Sequence, residues 1–272
     1  MPAPTEITPM QLSRLIGRPD CPAIIDVRIA EDIAASPGCI PGAIHVDHSG
    51  IETVLPHIGT RRAVVICHQG KKLSMGAAAL LRVAGIDAVS LHGGHVAWVD
   101  AGLPVLNTGA LPATRPTRWV TRHRPKIDRL ACPWLIRRFV DDGARFLYVP
   151  PAEVAAVADR FDAQAFDIDG AFWSHREEMC SFQVMVCELG LRDMRPLAHM
   201  GRIINAADTG RPDAEPQAAG LLAISLGLSR MYRDDLAQLD AALPVYDALY
   251  RWCRDAADET HDWAGERGQS GA

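Results

Sequence analysis

Between residues 7 and 106, short apolar runs alternate with stretches of helical pattern. The runs "AIIDV" (23–27), "AIHV" (43–46), "AVVIC" (63–67) and "AVSLHGG" (88–94) are separated by "TPMQLSRLI", "ETVLPHI" and "LSMGAAALLRVA". Alternation of this kind predicts an α/β domain with a central parallel sheet. The runs lack the every-second-residue polarity of a half-exposed strand, as expected of strands covered on both faces. "NTGALPATRPT" (107–117) then gathers proline, glycine and small polar residues, the signals of a connection. Beyond it, "RWVTRH" (118–123) and "RFLYVP" (145–150) read as strands, and helical patterns follow at 131–140, 151–160, 181–190, 195–207, 216–227 and 233–254. The expected organisation is an α/β domain over 5–107, a linker over 108–117, a helix-rich α+β domain over 118–256 and a flexible tail over 257–272.

Composition narrows the class without changing that picture. The chain has 272 residues, 48% of them hydrophobic and 22% charged, with a formal net charge of -5. This is the balance of a globular protein with no call for a polyanionic partner, so neither nucleic acid nor membrane is expected as a partner. No basic and apolar leader opens the sequence, and no run approaches the roughly 18 apolar residues of a membrane helix. A cytoplasmic protein is expected. Its seven cysteines form no CxxC pair, which points to reduced thiols.

The chemistry concentrates in "VVICHQGKKLSMGAAALLRVAG" (64–85), where Cys67 lies between an apolar strand and a helix. A helix that follows a strand directly aims its first-turn N–H groups and its positive dipole end at the intervening loop. Gly70 lets backbone amides turn inward as an anion nest, and Lys71 and Lys72 add positive charge. Together these favour thiolate over thiol. A cysteine met alone is more often a small core residue, but a packing thiol needs neither the glycine nor two cations. A metal ligand is the weakest of the three readings, because His68 is adjacent rather than offset and no second thiol is close in sequence.

This loop resembles the active-site loop of rhodanese-type sulfurtransferases, and other segments fit that family in order. "IIDVR" (24–28), "GCIPGAIHV" (38–46) and "LHGGHVAWVDAGLPV" (91–105) carry the likeness, which covers residues 5 to 107. Two features depart from the family pattern. Cys39 stands where the family usually has histidine, and "CHQGKKLS" looks one residue longer than the commonest loop, as in fold-sharing phosphatases. The resemblance implies that Cys67 takes the sulfane sulfur of thiosulfate as a persulfide and passes it to cyanide or a thiol, with no cofactor. The amides of His68, Gln69, Gly70, Lys71, Lys72, Leu73 and Ser74 would hold the anion, while Asp26 and Arg28 would border or brace the site. His45, His92 and His95 are read as structural.

The second half offers "KIDRLACPWLIRRF" (126–139), which by itself is an amphipathic helix with a solvated basic face. With "FDIDGAFWSHREEMCSF" (166–182), the "AAGLL" helix and "YDALYRWC" (246–253), it resembles the C-terminal domain of bacterial chromate-resistance proteins over residues 117 to 255. His175, Glu178, Cys180 and Asp208 are candidate ligands for a divalent metal such as zinc, and Arg129 is a candidate anion holder. The alternative for this group is a hydrogen-bonded polar cluster at a helix start.

The expected function is a sulfurtransferase working in an oxyanion or oxidative-stress setting. Chromate, a tetrahedral dianion like thiosulfate, is a second candidate ligand. A sensor that binds an oxyanion or metal without turnover, and phosphatase or arsenate-type chemistry at the longer loop, are the alternatives.

Overall fold

The computed structural model describes residues 3–112 and 114–259. Of the expected flexible tail, 257–272, residues 260–272 lie outside the described residues.

The N-terminal elements are β1 (Glu6–Ile7), α1 (Pro9–Ser13), β2 (Ala23–Asp26), α2 (Ala30–Ala35), β3 (Ala43–His45), α3 (Leu55–Ile58), β4 (Ala63–Ile66), α4 (Lys72–Val83), β5 (Ala88–Leu91) and α5 (Gly94–Asp100). Their strands form a parallel sheet in the order β1-β5-β4-β2-β3. All four residues of β2, of β4 and of β5 are buried. Alternate side chains nevertheless go to different cores: Ala23, Ile25, Val65 and Cys67 pack with Ala77, Ala78 and Leu81 of α4, while Ile24, Val64 and Ile66 face the other side with Trp98. Covering both faces hides the period of two from the sequence without removing it from the structure.

The C-terminal part continues with β6 (Arg118–Arg122), α6 (Asp128–Phe139), β7 (Arg145–Val149), α7 (Val154–Phe161), β8 (Gln164–Ala165), α8 (Ser181–Glu188), α9 (Arg195–Asp208), α10 (Ala218–Met231) and α11 (Asp235–Asp255). A small parallel sheet, β7-β6-β8, lies beside the helices. Among the described residues no helix is long and apolar enough to cross a membrane.

The helix α6 is not the amphipathic surface helix that its arginines suggest. Leu130, Ala131, Cys132, Trp134, Leu135, Ile136 and Phe139 are all buried. The arginines find acids on α11: Arg138 Nε and Nη2 meet the two oxygens of Asp247 at 2.8 and 2.9 Å, and Arg137 reaches Asp240 at 3.1 Å. A forked guanidinium–carboxylate pair fixes the angle between the helices as well as their charge.

The described residues of 108–117 contain no helix or strand, yet both ends of this stretch are held in place. Arg115 donates to the Val140 carbonyl at 2.7 Å, and the buried Thr117 amide donates to Asp141 at 2.6 Å. The two halves also share one apolar core, in which Ile24, Val64 and Trp98 join Trp134, Phe139 and Tyr250. Gly17 has φ +80°, and a Cβ there would come within 2.5 Å of the Phe139 ring.

Candidate functional site

Cys67 follows β4 directly and is 4% exposed. Its Sγ accepts the Lys71 amide at 3.3 Å and lies 3.1 Å from Ser74 Oγ. The loop is oriented from behind. Carbonyls of Cys67 and His68 accept the first-turn amides of α5, His95 and Val96, both at 3.0 Å. With those carbonyls turned away, the amides of His68, Gln69 and Gly70 have no acceptor among the described residues. The first amides of α4 are unpaired as at any helix start, which leaves donors on both sides of the space above Sγ. That space is a pocket of about 530 Å³ lined by Ile29, Asp32, Cys67, His68, Gln69, Lys71, Lys72 and Leu73. Ser74 borders the sulfur rather than the open pocket.

Two glycines permit this arrangement. Gly70 (φ +66°) and Gly94 (φ +63°) press backbone against backbone: a Cβ on Gly94 would lie 2.3 Å from both the Cys67 carbonyl oxygen and the Gly70 nitrogen. Gly94→Ala is therefore expected to destabilise the protein by about 1–3 kcal/mol from the backbone angle alone and to push the loop off Sγ. Urea unfolding and sulfur-transfer rates measured on the same preparation check both effects.

His95, a structural residue in the sequence reading, supports the loop. It is fully buried, with Nδ1 3.2 Å from Ser36 Oγ. Burial, and then the charge of Arg28, lowers its imidazole from 6.5 to about 4. The folded state thus holds fewer protons than the unfolded state between these values. The stability this contributes is complete above 6.5 and is lost as pH falls toward about 4. His95→Gln is expected to flatten the fall in unfolding free energy across that interval, measured by urea titration at several pH values.

Asp26 and Arg28 do not touch substrate space, which corrects their placement among the anion-binding residues. Both are 2% exposed and pair at 2.7 Å, and Arg28 donates onward to the carbonyls of Ser36 at 2.8 Å and Gly38 at 2.7 Å. Every donor is directed at the protein, so the pair braces the chain before β3. It borders a separate hollow that contains Cys39 and Arg115. Burial pushes the Cys39 thiol up to about 11, so this second cysteine is not a second reactive thiolate. Ile29 and Asp32, which do line the Cys67 pocket, come from the start of α2, a helix with no periodic signal in the sequence.

In the second half the candidate ligands separate. His175 and Asp208 meet, with Nε2 3.2 Å from Oδ2, but the other acids at this imidazole are Asp128 and Asp167, each at 3.4 Å. Asp128 is the first residue of α6, Asp167 follows β8 and Asp208 ends α9. No sequence spacing links them. Glu178 is not among them: its side chain is 88% exposed and meets Arg211 at 3.2 Å. Cys180 is buried at the start of α8, where desolvation and then Asp128 push its thiol far up, and it does not join the group formed by Asp128, His175 and Asp208. Arg129 is also occupied. Its Nε lies 3.2 Å from Asp167 Oδ2 and Nη1 donates to the His123 carbonyl at 3.1 Å, so it neutralises an internal acid rather than presenting a free anion site.

Comparison with known families assigns both halves. Residues 8–101 match the model of the rhodanese-like domain, and residues 119–253 match that of the ChrB C-terminal domain. The chain joins a rhodanese-like domain to a ChrB C-terminal domain. Protein ChrB of Cupriavidus metallidurans is 38% identical over 158 residues, 56% of this chain and 47% of that protein. The chain thus spans about half the length of this curated relative. Three solved structures are similar to the N-terminal part. A rhodanese-related protein of Thermoplasma volcanium is 25% identical, covering 37% of this chain and 95% of its own, with a TM-score of 0.32. A rhodanese-like domain protein of Staphylococcus aureus is 30% identical, at 37% and 97% coverage and 0.32. Thiosulfate sulfurtransferase of Pseudomonas aeruginosa is 32% identical, at 38% and 19% coverage and 0.33. In the rhodanese-like domain, Cys67 occupies the strand-to-helix loop; in the ChrB C-terminal domain, the buried acids and His175 form the polar centre.

Proposed function

We propose that the rhodanese-like domain is a thiosulfate-type sulfurtransferase, with Cys67 as the sulfur carrier, acting in a chromate or oxyanion stress setting. One observation carries this reading: the Cys67 sulfur lies at an open pocket beneath amides whose carbonyls are tied down behind them.

The Cys67 thiolate attacks the outer sulfur of thiosulfate. The S–S bond of thiosulfate breaks, sulfite leaves with the bonding electron pair, and a persulfide remains on the protein. An acceptor thiolate or cyanide then takes that outer sulfur and returns the Cys67 thiolate. The unpaired amides of His68, Gln69 and Gly70 are placed to hold the sulfonate oxygens, and the Lys71 and Lys72 ammonium groups balance the charge of departing sulfite. Donors fixed before reaction stabilise developing charge without having to reorganise. No cofactor is needed, because the nucleophile and the leaving group supply all the electrons. The chromate setting rests on the match of the second domain to ChrB.

The test is steady-state thiocyanate formation from thiosulfate and cyanide by the full chain. Turnover supports the proposal. Stoichiometric thiosulfate binding without thiocyanate would make this a binding module, and hydrolysis of p-nitrophenyl phosphate without thiocyanate would place Cys67 in phosphoryl chemistry.

A further inference from the structure

We infer that Asp128, His175 and Asp208 form a site for one first-row divalent cation in the ChrB C-terminal domain, independent of the sulfur chemistry at Cys67. One donor atom from each of the three lies within 4.8 Å of the others. Donors about 2.0–2.2 Å from a common ion stand some 3–4 Å apart, so the measured separations of 3.2 and 3.4 Å from Nε2 suit a shared ion.

A second observation points to a missing ligand. Asp128 is fully buried, and its Oδ1 has no hydrogen-bond partner among the described residues. Its Oδ2 lies 3.4 Å from both the Phe182 amide and His175 Nε2, and the Cys180 thiol is beside the carboxylate. A buried carboxylate with one unpaired oxygen is costly, and a divalent ion between it and Asp208 would offset that cost. The nearby cations do not serve this purpose. Arg122 and Arg129 both go to Asp167 Oδ2, each at 3.2 Å, while Ser181 donates to Asp167 Oδ1 at 2.8 Å. Asp167 is therefore held by other groups and has no need of the ion.

Donor chemistry sets the class of ion. Two carboxylates and one imidazole suit Mn²⁺, Fe²⁺ or Zn²⁺ and give too few oxygens for Ca²⁺ and no sulfur for Cu⁺. His175 also lines a pocket of about 330 Å³ with Arg122, Asp169 and Ser174, so this donor is reached from solvent.

Mn²⁺ is the probe, because the seven cysteines are free thiols that would capture zinc at other places. Chelator-stripped full-length protein is titrated with Mn²⁺ by calorimetry, with the bound ion counted by electron paramagnetic resonance and then displaced by Zn²⁺. One Mn²⁺ per chain is expected. His175→Ala and Asp208→Asn should each weaken it by more than about 100-fold. Glu178→Gln should leave it unchanged. Circular dichroism of each variant separates loss of the site from loss of the fold, and both Asp208 and His175 are partly exposed, which favours folded variants. The inference is overturned if wild type binds no Mn²⁺, or if folded His175→Ala and Asp208→Asn bind it as wild type does.

Discussion

Cys67→Ser is expected to abolish thiocyanate formation, by on the order of 10⁴-fold or more, while leaving the fold intact. Serine keeps the size and the contacts with the Lys71 amide and Ser74, so the loop has no reason to move. What it removes is the one atom able to carry sulfur. A hydroxyl is a far weaker nucleophile near neutral pH and cannot form a stable counterpart of the persulfide. Thiosulfate should still bind, because the amides of His68 and Gln69 proposed to hold it are untouched by the change. Calorimetric thiosulfate binding together with a rate at background would match the account. A serine variant retaining most of the activity would remove Cys67 from the chemistry.

Arg28→Ala is expected to cost about 3–5 kcal/mol of folding stability. The buried Asp26 carboxylate would lose its counter-charge, and the carbonyls of Ser36 and Gly38 would lose their donors. Asp26→Ala should cost a similar amount by stranding the guanidinium. The double variant should then be less destabilised than the two losses added together, because neither charge is left alone. Urea unfolding of the four proteins reads this coupling directly. Strict additivity would show that the two side chains do not act as a pair.

The N-terminal fold was legible in the sequence because each central strand is a short unbroken apolar run with a helix pattern behind it. β1 and α2 were not, since two residues of strand and six of "AEDIAA" leave no period to read. The form of the Cys67 loop was legible for a related reason: its cysteine, glycine and lysines are contiguous between a strand and a helix, so local order determines the turn. Asp32 entered it only through the course of the chain after β2.

The polar centre of the ChrB C-terminal domain shows the opposite case. Asp128, Asp167, His175 and Asp208 come from four separate places, and only the packing of α6, α8 and α9 brings them together. Glu178 and Cys180 looked like ligands because they are near His175 in sequence. Yet Arg176 and Met179 exchange backbone hydrogen bonds, with Glu177 at φ 52°, and this tight turn puts Glu178 outside. Asp128 read as one charge among several on a basic helix. Its burial is set by contacts with α8 and α11 that no local pattern records.

The central claim is that sulfur becomes covalently attached to Cys67. Intact-protein mass spectrometry after thiosulfate treatment without an acceptor, followed by peptide mapping, tests it most directly. The account predicts a mass gain of one sulfur atom, located on the peptide containing Cys67, absent from Cys67→Ser and discharged by cyanide. No gain in wild type, or a gain on another cysteine that survives Cys67→Ser, would contradict it.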